Sequence, residues 1–371
     1  MIILEVNGTE FTNFNSIEVN ISLDTLSGSF RFDAFTDSVN PFPIEIDSPC
    51  RVLVDGVAII TGFIEIISVN YDTGSHNISI EGRDKTGDVI DSTLDGGVDF
   101  NGPISLQAII EQILVKAKIP DIKVINEVDD IDDFTASEKV SGEIGITVFN
   151  LIEGYCRKRQ VLITSDGDGN IVITRGSGIS TEATLFNTLD TPELNNIKSA
   201  SVTYDNSKRF NRYIVKSQLN SVGNKNLLSV GVNTVTVTNS FGQSEDLDIR
   251  ESRTLVMIAE KASTSGDCKK RATWQANINR SRSFSYEVTL QGHTDSTTGE
   301  IWQPNMLIQI RDVFSGLEGQ FLINSVTFRL DIDDGNVVTL GIVNTDAYTL
   351  EATEPVKQKR TTTKTTSLLL Q

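Results

Sequence analysis

One β-rich unit occurs twice in this chain, near its two ends. The first copy, Arg51–Gly82, reads RVLVDGVAIITGFIEIISVNYDTGSHNISIEG, and the second, Leu307–Gly341, reads LIQIRDVFSGLEGQFLINSVTFRLDIDDGNVVTLG. Each opens with alternating apolar residues, turns, and passes a glycine (Gly62, Gly319) into a second alternating run. Each then turns at a glycine-containing hairpin and closes with a third strand. Such alternation places every second side chain on one face, so each copy specifies a small curved sheet or barrel. Two copies of one barrel-like unit offer two similar faces, and three such chains would present six. That points toward assembly rather than catalysis. A duplicated β-fold with no symmetry role is the other reading of the repeat alone.

A chain of 371 residues holds two to four domains at about 100–200 residues each. No apolar run approaches the ~18 residues that span a bilayer, so no membrane insertion is expected. Met1–Val6 alternates like a strand, with none of the basic start and apolar core of a signal peptide. Cys50, Cys156 and Cys268 lie far apart, which suits reduced thiols in a chain made in a cytoplasm. The net charge of −18 opposes affinity for nucleic acid, because phosphate binding needs clustered Lys and Arg. A wall of DNA's own sign would let DNA pass without sticking, over the ~8 Å reach of charge at physiological salt. Plain solubility is the alternative meaning.

Four segments follow from the pattern. Residues 1–95 read as all-β: Ile17, Val19, Ile21 and Leu23 share one face, Ser29–Phe35 alternates, and the first repeat copy follows, with turns at Asp55-Gly56 and Gly74-Ser75. Residues 96–192 read as a small α+β domain. Its first helix carries the stripe Leu106, Ile110, Ile113, Leu114 and Ala117 behind an N-cap at Ser105, with Pro120 beyond its end. The acidic stretch Asp121–Asp133 reads as a short strand and a solvated loop. A second helix uses Val148, Ile152 and Tyr155 and ends in Arg157-Lys158-Arg159, where cations meet the negative end of the helix dipole. A hairpin, Val161–Thr164 and Ile171–Thr174, turns at Asp166-Gly167-Asp168-Gly169. Residues 193–350 read as a second β-barrel domain with a helical insertion: strands Ile197–Tyr204, Arg212–Gln218, Thr234–Thr238 and Phe284–Gln291, a helix over Asp267–Asn279, and an ambiguous Ser252–Ala262 that could be helix. Residues 351–371, with Lys357, Lys359, Arg360 and Lys364 and a Leu368-Leu369-Leu370 end, form a flexible basic tail that could dock on an acidic partner.

No active site is legible, and no catalytic, cofactor-binding or metal-binding residue is assigned. His76 and His293 both fall near turns, outside any metal-ligand spacing, and no cysteine cluster would complete a site. There is no nucleophile elbow, phosphate loop or dinucleotide fingerprint. Asp166–Asn170 opens like a calcium loop, but Ile171 stands where glycine is required and Ser177 where glutamate is, so it is a hairpin turn. The turn Asp331–Asn336 fails similarly.

The order of these pieces resembles a known family, the Mu-like baseplate hub proteins of contractile-tailed phages. Ser29-Phe30-Arg31-Phe32, then Cys50–Val54 with Gly56 and Thr61-Gly62-Phe63-Ile64, resemble that family's opening barrel. Glu81-Gly82-Arg83-Asp84-Lys85-Thr86-Gly87-Asp88-Val89-Ile90-Asp91-Ser92 is similar to its "GRD…GDLVD" segment. Gly142-Glu143 and Ser165-Asp166-Gly167 match in order, as do Arg271-Ala272-Thr273-Trp274 and Gly299–Asn305. The resemblance implies a mainly β fold with an α+β insertion, two related β-barrel domains per subunit, and a homotrimer forming a pseudo-six-fold ring. It implies a virion baseplate protein, assembled in the host cytoplasm. Such a hub joins the six-fold tail tube to the three-fold membrane-piercing spike, with other baseplate proteins around it and DNA passing through without specific binding. No enzyme activity or cofactor is implied. Related type VI secretion spike proteins fuse the hub to a long β-helix; here the spike is expected on a separate polypeptide. Gly82, Arg83 and Asp84 are expected to shape a strand exit and a salt bridge, and Trp274 and Trp302 to be core or subunit-packing residues. A tail-associated peptidoglycan-hydrolysing or wall-binding protein, with residues 98–180 as its active part, is the rival function. A receptor-binding adhesin is the second rival, and the low aromatic content does not favour it.

Overall fold

Apolar–polar alternation turns most of this chain into strand. The computed structural model describes residues 1–36, 43–72, 76–119, 121–140, 142–176, 178–220, 237–259, 265–331, 334–345 and 347–348. The turn at Gly74-Ser75, Pro120, Ser177, the start of Thr234–Thr238, part of Asp331–Asn336 and the tail 351–371 lie outside the described residues. The first strands are β1 (Ile2–Val6), β2 (Thr9–Phe11), β3 (Ser16–Ser22), β4 (Ser29–Thr36), β5 (Pro49–Val54), β6 (Val57–Tyr71) and β7 (His76–Asp84), closed by the short helix α1 (Gly87–Asp91). The middle segment holds β8 (Thr93–Leu94), α2 (Leu106–Ala117), β9 (Val124–Asn126), β10 (Ile146–Thr147), α3 (Val148–Arg159), β11 (Leu162–Ser165) and β12 (Ile171–Thr174). Then come β13 (Ile179–Asn187), β14 (Ile197–Tyr204), β15 (Arg212–Asn220), β16 (Val237–Glu245), β17 (Thr254–Ile258), α4 (Ser265–Ser281), β18 (Phe284–Gln291), β19 (Met306–Asp312), β20 (Leu317–Asp331) and β21 (Gly335–Asn344).

Contacts divide the chain into two units. The first comprises Met1–Ser201, Tyr286–Arg311 and Gly319–Val343; the second comprises Val202–Ser285, Asp312–Glu318 and the chain from Asn344. The chain is mainly β with an α+β segment, as the pattern predicts. A single 13-stranded sheet runs β14-β18-β21-β20-β3-β4-β7-β6-β5-β1-β2, and β19 pairs with both β20 and β13. The repeat is therefore larger than the sequence suggests. β5-β6-β7 and β19-β20-β21 match, and each central strand is 15 residues long. Beyond them, β1 pairs with β5 as β13 does with β19, β3 with β4 as β14 with β18, and β4 with β7 as β18 with β21. Two six-strand copies share one sheet and meet where β20 pairs with β3.

The interior follows the alternation. Phe32, Val52, Ile60, Ile64 and Ile80 fill the first copy, and Tyr286, Val288, Ile308, Leu322 and Leu340 the second, all within 1 % of full burial or at it. Each such side chain contributes about 1.5–3 kcal/mol on leaving water. In the middle segment α2 and α3 lay Ile109, Ile110, Ile113, Leu151, Ile152 and Tyr155 against β11 and β12. Their N-caps are Ser105 and Thr147, whose hydroxyls accept from Ala108 N–H and Asn150 N–H. β13, which lies within the 96–192 segment, belongs to the large sheet through β19.

The second unit packs α4 on a three-stranded sheet, β16-β15-β17, around Tyr213, Val215, Cys268, Ala272 and Ala276. Ser252–Ala262, ambiguous in the sequence, resolves to strand over Thr254–Ile258, parallel to β15. Only one face of that strand is covered, so its alternation of exposed and half-buried residues is the better guide. α1 was not foreseen.

Candidate assembly surface

The segment Gly82-Arg83-Asp84 ends β7 and ties together everything around it. Gly82 is required by a close approach: a Cβ there would stand 2.2 Å from the Phe63 carbonyl oxygen and 2.5 Å from the Phe30 ring. Arg83 does make a salt bridge, but not with its neighbour. Its guanidinium holds Glu65, Nη2 to Oε1 at 2.8 Å, and Asp91, and both carboxylates push its pKa up. Asp84 points the other way and is buried. Its carboxylate accepts from Gly28 N–H (2.6 Å), Thr86 N–H (2.8 Å), Ser165 Oγ (2.7 Å), Ser27 Oγ (3.2 Å) and Thr86 Oγ1. Burial raises its pKa, and these donors work against that rise.

Asp84 thus joins the β3–β4 hairpin to β11 of the middle segment. The Asp166–Asn170 turn completes the joint. Gly167 O accepts from Thr61 Oγ1 at 2.8 Å, and a Cβ on Gly167 would meet the Ala58 carbonyl at 2.0 Å. Asp166 spends its carboxylate on Asp168 N–H, Asn170 N–H and the Asn170 amide, as a hairpin turn does. Sequence reasoning gave the turn but not its docking, since Thr61 and Ser165 lie far from it or from Asp84 along the chain.

The junction of the two copies has a defined chemistry. β20 pairs antiparallel with β3 from Ser325↔Ser22 to Leu330↔Ile17. Thr327 Oγ1 donates to Asn20 Oδ1 at 2.6 Å, Ser22 Oγ donates to Asn324 O at 3.1 Å, and Arg329 Nε meets Glu18 Oε2 at 3.2 Å. Val326 and Phe328 are 0 % exposed there.

The counterpart edges are open. On β6, β5 covers one side only as far as Phe63, while β7 runs along the other side to Tyr71. Among the described residues no strand pairs with the free side of Ile66–Tyr71, nor with the outer side of β14. Val69 is 53 % exposed and Tyr71 77 %, although their counterparts in β20, Val326 and Phe328, are fully buried. β14 is exposed along most of its length. Charged or polar blunting is the usual management of such edges, so a row of exposed apolar residues marks a surface meant to be covered. This edge was missed in the sequence; the match of Ser68-Val69-Asn70-Tyr71 to Ser325-Val326-Thr327-Phe328 was the signal for it.

The other singled-out residues are structural. Trp302 is buried, and Trp274 stacks under the Arg271 guanidinium at 4.3 Å. His76 opens β7 and stacks on Tyr71, while His293 is buried with Nδ1 3.4 Å from Asp55 Oδ2, where burial lowers its pKa. Cys50 and Cys156 are buried thiols pushed up to about 12, and Cys268 is buried. The basic end of α3 is used internally: Arg159 pairs with Glu138 at 2.9 Å and lies 3.7 Å from the Phe134 ring centroid. No helix among the described residues is long and apolar enough to cross a membrane.

Comparison with known proteins matches three stretches of the chain. Residues 1–84 match the N-terminal domain of Mu phage baseplate assembly protein GpP-like proteins, residues 86–175 the second domain of baseplate hub protein gp44-like proteins, and residues 264–351 the fourth domain of Mu phage baseplate assembly protein GpP. Baseplate hub protein gp44 of Escherichia phage Mu is 24 % identical over 338 residues, covering 90 % of this chain and 84 % of that one. The 43 kDa tail protein of prophage MuSo2 from Shewanella oneidensis has a crystal structure with a TM-score of 0.78 and 26 % identity, over 94 % of this chain and 98 % of that one. The tail protein from Neisseria meningitidis MC58 shares the fold, with a TM-score of 0.75 and 20 % identity over 94 % and 98 % of the two chains. With the doubled six-strand copy, the Gly82-Arg83-Asp84 joint and these matches taken together, the chain belongs to the Mu-like baseplate hub proteins.

Proposed function

We propose that this chain is a structural subunit of a phage tail baseplate, a homotrimeric hub that joins a six-fold tail tube to a three-fold spike and lines the route taken by DNA. One observation carries the proposal. The chain holds two strand-for-strand copies of one unit in a single sheet, with one copy-to-copy junction closed and its counterpart open. Three chains then supply six equivalent units, while everything outside the copies repeats only three times. The segments 1–95, 96–192, 193–350 and 351–371 serve as first barrel, α+β domain, second barrel with its helical insertion and basic tail, except that β13, at the end of 96–192, belongs with the second barrel's strands. An excess of 50 acidic over 32 basic residues suits a lumen that DNA crosses without binding. The protein resides in the virion after assembly in the host cytoplasm, and the role needs no active site.

Glu138 of the middle segment lends no support to the wall-hydrolase reading. A general acid needs a carboxyl whose pKa is raised toward the working pH. Glu138 goes the other way: Arg159 and the Thr135 amide and hydroxyl hold it down at about 2.

Light scattering of the purified protein, alone and with the candidate spike polypeptide, tests the proposal. A trimer that binds the spike stably is expected. A monomer that ignores the spike and cleaves or binds peptidoglycan would overturn it.

A further inference from the structure

We infer that the ring closes along one defined seam, in which β6 of each chain, over Ile67–Tyr71, pairs antiparallel with β14 of the next chain, over Ala200–Tyr204. The inference rests on the trimeric hub proposed above and adds to it the strands, the register and the residues.

The internal junction supplies the template. β20 lies on β3 with Ser325↔Ser22, Val326↔Ile21, Thr327↔Asn20 and Phe328↔Val19. The repeat carries each strand to its counterpart. Ser68-Val69-Asn70-Tyr71 stands the same six residues past Gly62 as Ser325-Val326-Thr327-Phe328 does past Gly319. Asn20-Ile21-Ser22-Leu23-Asp24 corresponds to Ser201-Val202-Thr203-Tyr204-Asp205, polar for polar and apolar for apolar. Spacing agrees, since ten positions separate Val6 from Ser16 and Asn187 from Ile197, the end of β1 or β13 from the start of β3 or β14. Transferred to the open edges, the register reads Ser68↔Thr203, Val69↔Val202, Asn70↔Ser201 and Tyr71↔Ala200 between chains.

The chemistry survives the transfer. At the internal junction a threonine hydroxyl donates to an asparagine amide oxygen, Thr327 to Asn20 at 2.6 Å. At the seam the partners exchange sides, a serine hydroxyl (Ser201) facing an asparagine amide (Asn70). A ring faces a smaller side chain at both, Phe328 against Val19 and Tyr71 against Ala200. Two exposed apolar side chains of the free edge, Val69 and Tyr71, would take the fully buried environment of Val326 and Phe328. One chain offers β6 and receives on β14, so the contact is heterologous and propagates until it closes.

Disulfide trapping tests both strand and register. Leu23 N–H donates to Asn324 O at 2.8 Å, so Asn20↔Thr327 is a narrow, non-hydrogen-bonded pair, and so is Asn70↔Ser201 at the seam. Such pairs, with Cα atoms about 4.5 Å apart, fall within disulfide reach. The double variant Asn70→Cys/Ser201→Cys, mildly oxidised at its solution concentration, should give a covalent three-chain species on a non-reducing gel. The native cysteines are buried and stay out of the reaction. Each single variant should give none, and Asn70→Cys/Val202→Cys, whose side chains leave opposite faces, should trap at least tenfold less. A trimer by mass that does not trap overturns the seam while leaving the hub standing. Trapped chains that run on past three support the seam and overturn the three-fold hub. A protein that remains monomeric overturns both. As a second arm, Tyr71→Asp should abolish the trimer, weakening association roughly 100-fold or more by forcing a charge into an apolar seam, with far-UV circular dichroism and melting of the monomer unchanged. Unaltered trimerisation of Tyr71→Asp would refute the seam.

Discussion

Removing the Asp84 carboxylate should cost the first unit about 2–4 kcal/mol, because the donors around it divide into those that can turn away and those that cannot. The hydroxyls of Ser27 and Thr86 have other acceptors in reach, Gly28 O at 3.3 Å and Leu26 O at 3.1 Å. The Gly28 and Thr86 amides are fixed by the backbone and face only the carboxylate. In Asp84→Ala each is left buried without an acceptor, at about 1–3 kcal/mol apiece, and Ser165 loses its bond as well. Relief of the carboxylate's own desolvation offsets part of the loss, which brings the sum to the figure above. For a unit of this size that is roughly 4–16 °C in melting temperature. Ser165→Ala, which removes one donor and orphans no amide, should cost about 1 kcal/mol. Urea unfolding followed by circular dichroism, with calorimetry of the same samples, gives both numbers. A loss below about 1 kcal/mol for Asp84→Ala would show that burying this charge already cancels its hydrogen bonds, and would refute the view of Asp84 as the joint between sheet and middle segment.

Two further substitutions separate causes elsewhere. Gly62→Ala brings a Cβ to 1.9 Å from the Arg83 carbonyl oxygen, so β6 and β7 must part, and urea midpoints should show a cost above about 3 kcal/mol; Gly319→Ala meets nothing within 4 Å but has φ +143°, and should show only about 1–3 kcal/mol of backbone strain. Equal costs would mean that the close approach of β6 to β7 is not what requires Gly62. The middle segment should weaken in acid through Glu138. Its pKa falls on folding from 4.5 to about 2, chiefly through the hydrogen bond from Arg159, so the stability it adds is present above pH 4.5 and is lost as the pH falls toward 2. Glu138→Gln should flatten the pH dependence of unfolding in that window, and an unchanged slope would assign the acid lability to other carboxylates.

Local periodicity carried the sequence reading as far as local forces decide the structure. α2 and α3 were legible because an apolar stripe, a hydroxyl cap and a basic last turn agree with one another. The repeat was legible because Gly62 and Gly319 punctuate it. β17 was not, since five residues of mixed propensity gain strand geometry only by pairing with β15, some forty residues earlier. Distance along the chain hid the assembly surface in the same way. β3 and β20 are about 300 residues apart, and nothing in Ile17–Ser22 alone says that it will be covered while its counterpart β14 stays open. Gly82-Arg83-Asp84 was singled out, yet its true partners, Glu65, Asp91, Gly28 and Ser165, become visible only in three dimensions.

The differences between the copies make physical sense if one junction forms within a chain and the other between chains. β3 is covered as soon as its own chain folds, and it carries Ile17 and Val19, both buried. The positions that correspond in β14 are Lys198 and Ala200, exposed in the single chain. An edge that must wait for its partner is safer with a lysine and small residues than with a second isoleucine–valine stripe, because a long apolar edge invites pairing with any strand it meets. The apolar weight of the proposed seam falls instead on β6, at Val69 and Tyr71, opposite Val202 and the small Ala200 of β14. Neither edge pairs well with itself: over Lys198–Ser201 β14 has little apolar surface to bury against another β14, and two β6 edges would set bulky side chains against one another. Only the mixed pair combines a large side with a small one, as Phe328 and Val19 do inside the chain. An edge pair that favours the unlike partner selects the head-to-tail contact over the two-fold one, and a head-to-tail contact is the kind that closes into a ring.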